Sequence, residues 1–191
     1  MLQSPMTTAF ADLWYETRDR MGVAVPSKAD FPLRKLAPFM PSMSLVGFDE
    51  DPDGTYLLFG TTLTSHIGMD LTGWALNDTM DDDARAQRNA GIRAFHEEFG
   101  ADAARARWTL CKGCTGTGRI VEFEDLSLPY IEPSTGTLRH MCYVELLGGL
   151  DYGEGIAHRF PAHEARWFDG TKERPAWLRL DPASLLVRAV S

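Results

Sequence analysis

The residues able to ligate a metal or act as nucleophile or base are three cysteines and five histidines, and four of them stand in short-spaced pairs. Cys111-Lys112-Gly113-Cys114 is a C-x-x-C, and His140-Met141-Cys142 follows in H-x-C spacing. Together they form the donor set of a Cys3His zinc site, in which thiolate sulfurs lie about 2.3 Å from the metal. A C-x-x-C is also the redox pair of thioredoxin-like proteins, but there a helix follows, and residues 111–114 sit in a run that reads as strand. On an extended strand two residues three apart point to opposite faces, which works against convergence on one ion. His96-Glu97 and His163-Glu164 each open an H-E-x-x pattern, yet Gly100 and Trp167 stand where the second histidine belongs, so the zinc-protease motif fails twice. The sequence has no G-x-S-x-G, no G-x-x-x-x-G-K-[ST] and no G-x-G-x-x-G after a strand. Carboxylate pairs read as solvated faces in so acidic a chain. No catalytic motif stands out, and the expectation is a protein that is not an enzyme.

Composition narrows the partners. The 191 residues suit one domain with an appendage, and 44% hydrophobic with 24% charged residues supply an ordinary globular core. The formal charge is −8, from 27 acidic against 19 basic residues. An acidic chain without a basic stripe argues against a nucleic-acid partner, because phosphate contacts supply most of that affinity. The first ten residues lack the basic and apolar regions of a signal peptide, and no run approaches the roughly 18 apolar residues that span a bilayer. Three cysteines without a secretory context point to reduced thiols. The expected location is cytoplasmic, with no membrane partner.

The elements that must position these residues follow in order. Thr8 to Met21 reads as an amphipathic helix, with Phe10, Leu13, Trp14, Thr17 and Met21 at helical spacing and Gly22 as its stop. Pro26, Pro32, Pro38 and Pro41 then favour extended backbone and short turns, with Leu33, Leu36 and Phe39 on a buried side. Met43–Phe48 and Tyr56–Gly60 form a strand pair around Asp49 to Gly54, a stretch of turn formers. The second strand falls into a short helix carrying Leu63, Ile67 and Leu71, stopped near Gly68 and Gly73.

Asp83 to Phe99 is the longest helical pattern, with Ile92, Phe95, His96 and Phe99 on its apolar stripe. Gly91 inside it costs about 1 kcal/mol relative to alanine, so close packing is expected there. Arg105–Cys114 and Arg119–Tyr130 read as a hairpin. Val121 and Phe123 face one way, then Leu126, Leu128 and Tyr130 take the opposite phase, which predicts a β-bulge near Glu124-Asp125. Leu138 to Leu146 is the expected last strand, with Leu138, His140, Cys142, Val144 and Leu146 on one face. Gly148 to Gly155 reads as a hinge, and Phe160 to Ser191 as a tail outside the sheet, packed back on the domain, with a short helix around Leu180, Leu185, Leu186 and Val190.

Three patterns resemble the short single-PAS-domain proteins of bacteria. They are W-x-x-x-R-x-x-x-G-x-x-x-P-x-x-x-D-F from Trp14 to Phe31, G-T-x-L…G-x-D-L-T-G within Phe59–Gly73, and v-x-F-E-D-L-x-L-P ending at Pro129. With the order helix, β, β, short helices, long helix, β, β, β, the likeness covers about Thr8 to Leu147. It implies an α+β fold, a PAS-like five-stranded antiparallel sheet with helices on one face, an N-terminal helix and a C-terminal tail. The division expected is 1–41 for the helix and Pro-rich lead-in, 42–148 for the core, and 149–191 for hinge and tail.

In such a fold the long helix crosses the sheet over a cavity. The expected ligand-binding residues are Trp74, Phe95, His96, Phe99, Phe123, His140 and Cys142. Haem-binding PAS domains take an axial histidine from that helix, which keeps His96 open as a ligand; the plainer alternative is a histidine bonded to a backbone carbonyl. Flavin-type photochemistry needs a cysteine near Asn77-Asp78-Thr79, and none is there. The same fold sets the Cys111 and His140 strands two spacings apart, about 9.6 Å, too far for a zinc site without distortion.

The expected role is a sensory or regulatory domain in bacterial signalling that binds a small molecule, a protein partner or a second copy of itself. No metal is assigned, and no cofactor is identified. The alternatives are an interaction scaffold with a filled core, or a zinc protein using Cys111, Cys114, His140 and Cys142.

Overall fold

The computed structural model describes residues 2–48 and 53–179. Most of the Asp49–Gly54 turn and the helix expected around Leu180, Leu185, Leu186 and Val190 lie outside the described residues. The fold is α+β, built on one antiparallel sheet. Helix α1 (Pro5–Met21) begins where Ser4 accepts hydrogen bonds from the Met6 and Thr7 amides, with Pro5 in the first turn. It ends at Gly22, whose φ of 64° is the left-handed conformation that closes helices. Phe10, Leu13, Trp14 and Thr17 are buried as the stripe predicts, and Met21 is exposed. The one-turn helix α2 (Leu33–Leu36) leaves Leu33 exposed, while Phe39 is buried.

Strands β1 (Met43–Gly47) and β2 (Thr55–Phe59) pair with each other. Helices α3 (Thr61–Ile67) and α4 (Asp82–Phe99) cross over to β3 (Arg105–Thr115), β4 (Ile120–Ile131) and β5 (Leu138–Leu146). Two further strands follow, β6 (Ile156–Arg159) and β7 (Glu164–Asp169). The order across the sheet is β2-β1-β5-β4-β3-β6, with β7 also on β3, giving seven strands where five were expected.

The extra strands have a physical reason. Without them β3 would be a long open edge, a row of unpaired amides and carbonyls. β6 pairs with Gly113 to Thr115, and β7 with Arg105 to Leu110, so the two share its length. Part of the segment expected outside the sheet, Glu164–Asp169, is therefore within it. At the opposite edge the backbone of 73–76 bonds to β2, through Gly73 N–H to Tyr56 O, Tyr56 N–H to Trp74 O and Leu76 N–H to Gly54 O.

No β-bulge occurs at Glu124-Asp125. The pairing of β4 with both β3 and β5 runs without a register shift. The phase inverts because β4 is covered on both faces. Its even-numbered residues Leu126, Leu128 and Tyr130 pack in a core with Phe10, Leu13 and Trp14 of α1. Its odd-numbered residues Phe123, Asp125 and Ser127 face a cavity on the other side. The helices accordingly flank both faces of the sheet, not one. Trp14 is fully buried and donates its indole N–H to the Pro129 carbonyl at 2.7 Å, which fixes α1 to β4. The chain after β7 closes this core with Leu178, which is also fully buried.

Candidate functional site

The second face of the sheet, α3, the 69–80 segment, α4 and β6 enclose a cavity of about 290 Å3. Gly60 makes the entry into α3 possible: any side chain there would overlap the Pro41 carbonyl. α3 stops at Gly68, φ 84°, and Asp70 then accepts from the Thr72 amide at 2.9 Å and its hydroxyl at 2.7 Å, a local turn that directs Leu71 inward. The apolar end of the cavity is Val46, Tyr56, Phe59, Leu63, Leu71 and Leu76, a buried cluster separate from the α1 core.

Of the seven residues expected to line a ligand site, Trp74, Phe123, His140 and Cys142 line this cavity and Phe95, His96 and Phe99 do not. Trp74 is about half exposed at the rim, and the other three are buried. The α4 stripe runs along one side of the helix, but only its first half, Arg88 and Ile92, reaches the cavity. The position is set by Gly91, which lies against the Trp167 indole of β7, so the unexpected strand determines where the helix sits. Phe95 is buried beyond the cavity, tilted against Phe99 at 5.0 Å between ring centroids. His96 is exposed, with Nδ1 3.5 Å from the Gly100 carbonyl. It is not on the buried side of α4 and does not line the cavity.

The polar end is ordered by strand register. Arg107, Ser127, Cys142 and Ser44 form one row across β3, β4, β5 and β1. His140 lies in the next row, opposite Pro129 and Val46, and Arg105 is two residues from Arg107 on the same face. His140 Nδ1 is 2.8 Å from the Ser127 hydroxyl, and the Cys142 thiol donates to the same oxygen at 3.3 Å. Burial, then the charges of Arg105, Arg107 and Arg88, hold the His140 pKa well below its ordinary value, so the ring is neutral at pH 7. Burial, then the Asp125 carboxylate, pushes the Cys142 thiol up to about 11, so no thiolate is present. A serine–histidine pair needs a third group to orient the base, and no described residue bonds to the second ring nitrogen of His140.

Four arginines line the cavity: Arg88, Arg105, Arg107 and Arg159. Arg107 Nη2 lies 2.8 Å from Asp125 Oδ2, and Arg159 Nη2 is 3.7 Å from the same oxygen. Arg88 donates to the Asp53 carbonyl at 2.7 Å and lies 3.8 Å from its carboxylate. Arg105 rests over the Phe48 ring at 5.1 Å and meets no carboxylate among the described residues. None of these arginines stands out in the sequence as a binding residue. The available signal was Arg105-Ala106-Arg107, whose alternation puts two guanidiniums on one strand face.

The cysteines do not gather. Cys111 is paired across β4 with the position of Leu146, and Cys142 with that of Arg107, four residues away along β3. Among the described residues no group of three potential ligands could hold a metal ion. Nor, among them, is any helix long and apolar enough to cross a membrane. Comparison of the chain with protein-family models, curated proteins and solved structures returned no match.

Proposed function

We propose that the chain is a PAS-like sensory or regulatory domain of a bacterial cytoplasm, without catalysis of its own. It binds a small molecule in the cavity and answers through a protein partner or a second copy. The observation that carries this reading is the cavity itself: an apolar end of Phe59, Leu63, Leu71 and Leu76 faces a polar end of Ser127, His140, Cys142 and arginines. Apolar walls with a few converging polar groups are the usual make-up of a ligand pocket, and 290 Å3 stands at the small end of their range. Support for the PAS-like form comes from the chain order through β5 and from β4 lying between the Cys111 and His140 strands, as the resemblance implies.

Arg88 and Ile92 of α4 and Leu63 of α3 share the cavity with the sheet, so a ligand touching both sides shifts the balance of helix positions. Native mass spectrometry of freshly purified protein against its denatured mass tests this. A retained small molecule supports the sensor. Repeated preparations at the bare chain mass, with a cavity that takes up no added compound, refute it. They would favour a second reading, a protein-interaction module, for which the exposed Leu57 and Leu58 of β2 are the supporting observation.

A further inference from the structure

We infer that the cavity takes a small amphiphilic carboxylic acid, its carboxylate on Arg105 and its apolar body against Phe59, Leu63, Leu71 and Leu76; this rests on the ligand-binding reading above. The chain as a whole carries −8, yet the charge inside the cavity is of the opposite sign. Asp125, the one fully enclosed carboxylate there, is shared by Arg107 and Arg159, and Arg88 is engaged by Asp53. Arg105 is left with an aromatic ring as its neighbour and no anion among the described residues. A half-buried guanidinium with no counter-charge is costly to keep, and a carboxylate matches its two parallel N–H groups. Burial, then the charges of Arg88 and Arg107, lowers the Arg105 pKa to about 10, so the side chain remains a cation at neutral pH.

A carboxylate suits the fork of Arg105, which meets no anion among the described residues. The hydroxyl of Ser127 and the second ring nitrogen of His140 supply further polar contacts on the same face. Phe59, Leu63, Leu71 and Leu76 at the opposite end suit an apolar body, with the exposed Asp78 also on the cavity lining.

The test is calorimetric titration of the full chain with three matched pairs: 3-phenylpropanoate and its amide, 2-naphthoate and its amide, octanoate and its amide. Phenyl phosphate is titrated alongside. At least one acid is expected to bind about 10- to 100-fold more tightly than its amide, the range of a charge-assisted bond. Arg105→Met is expected to erase most of that preference while leaving amide affinity within about threefold. The acid–amide comparison needs only the unaltered protein, so misfolding of the variant does not protect the inference. Equal or tighter binding of the amides overturns it and leaves a ligand pocket of another specificity. Phenyl phosphate binding more tightly than every acid overturns the carboxylate class. Binding of neither acids nor amides removes the pocket reading and this inference with it.

Discussion

Glu124 is a buried carboxylate on the face of β4 turned away from the cavity, and no ion pair forms on it among the described residues. It is completely buried, and its carboxylate accepts three hydrogen bonds: from the Gln3 amide at 2.7 Å, the Trp108 indole at 2.7 Å and the Ser4 amide at 3.0 Å. Ser4 caps α1, so this carboxylate ties the start of the helix to the centre of the sheet. Glu124→Gln keeps the shape and one acceptor oxygen. If that oxygen serves Gln3 and Trp108, the new NH2 group faces the Ser4 amide, donor against donor. One charge-assisted bond worth about 1.5–3 kcal/mol is lost and two are weakened, while the neutral amide is cheaper to bury. The net loss is about 2–4 kcal/mol, or roughly 4–16 °C in Tm for a chain of this size. Urea unfolding at pH 7 followed by tryptophan fluorescence measures it, with amide exchange in the first turn of α1 as the local readout. A Glu124→Gln protein within about 0.5 kcal/mol of the parent, with unchanged exchange, would show that the carboxylate does not hold the helix.

Gly91→Ala gains about 1 kcal/mol of helix propensity but would overlap the Trp167 indole, so a net loss of about 1–2 kcal/mol is expected, relieved in the Gly91→Ala/Trp167→Ala double variant. A stabilised Gly91→Ala protein contradicts the α4–β7 contact. His140 has a lower pKa folded than unfolded, so the unfolded chain takes its proton more readily. Stability is therefore complete above about pH 6.5 and falls as the pH drops below it, by up to about 2 kcal/mol between pH 7 and pH 5. His66, also lowered by burial, contributes with the same sign, so the comparison is with His140→Gln, whose profile should be flatter by His140's share. Parallel profiles for the two proteins would exclude a buried neutral imidazole.

How much could be read in advance depended on whether a residue's neighbours lie close in the chain. The α1 stripe reports the burial of Phe10, Leu13, Trp14 and Thr17 directly, and β5 forms over the predicted Leu138–Leu146, although Met141 and Tyr143 on its other face are buried in the α1 core as well. In β4 the pattern was legible but its cause was not: an inverted phase looks alike for a bulge and for a strand covered twice, and only α1 on the far face decides. β6 and β7 were missed because Ile156-Ala-His-Arg159 and Glu164-Ala-Arg-Trp-Phe-Asp169 carry the charges suited to edge strands, which also suit a tail. The arginines escaped for a related reason. Arginine alternating along a strand reads as a solvent face until register sets Arg107 beside Ser127 and Cys142.

Glu124 and Asp125 condense the architecture into two adjacent residues. Both are buried carboxylates on β4, and the pleat sends them to opposite faces. Among the described residues Glu124 meets only neutral donors, in a core with α1, Trp108 and Leu178, and both carboxylate oxygens are bonded. Asp125 meets Arg107 and Arg159 beside a cavity, and its Oδ1 has no hydrogen-bond partner. The first arrangement holds structure and leaves nothing for a ligand to satisfy. The second leaves polar groups incompletely matched, which is where binding a molecule gains free energy. On the proposed ligand-binding reading, stability and ligand response would be carried on opposite faces of one strand. Substitutions at even-numbered positions of β4 should move the unfolding midpoint, while those at Phe123, Asp125 and Ser127 bear first on what the cavity accepts.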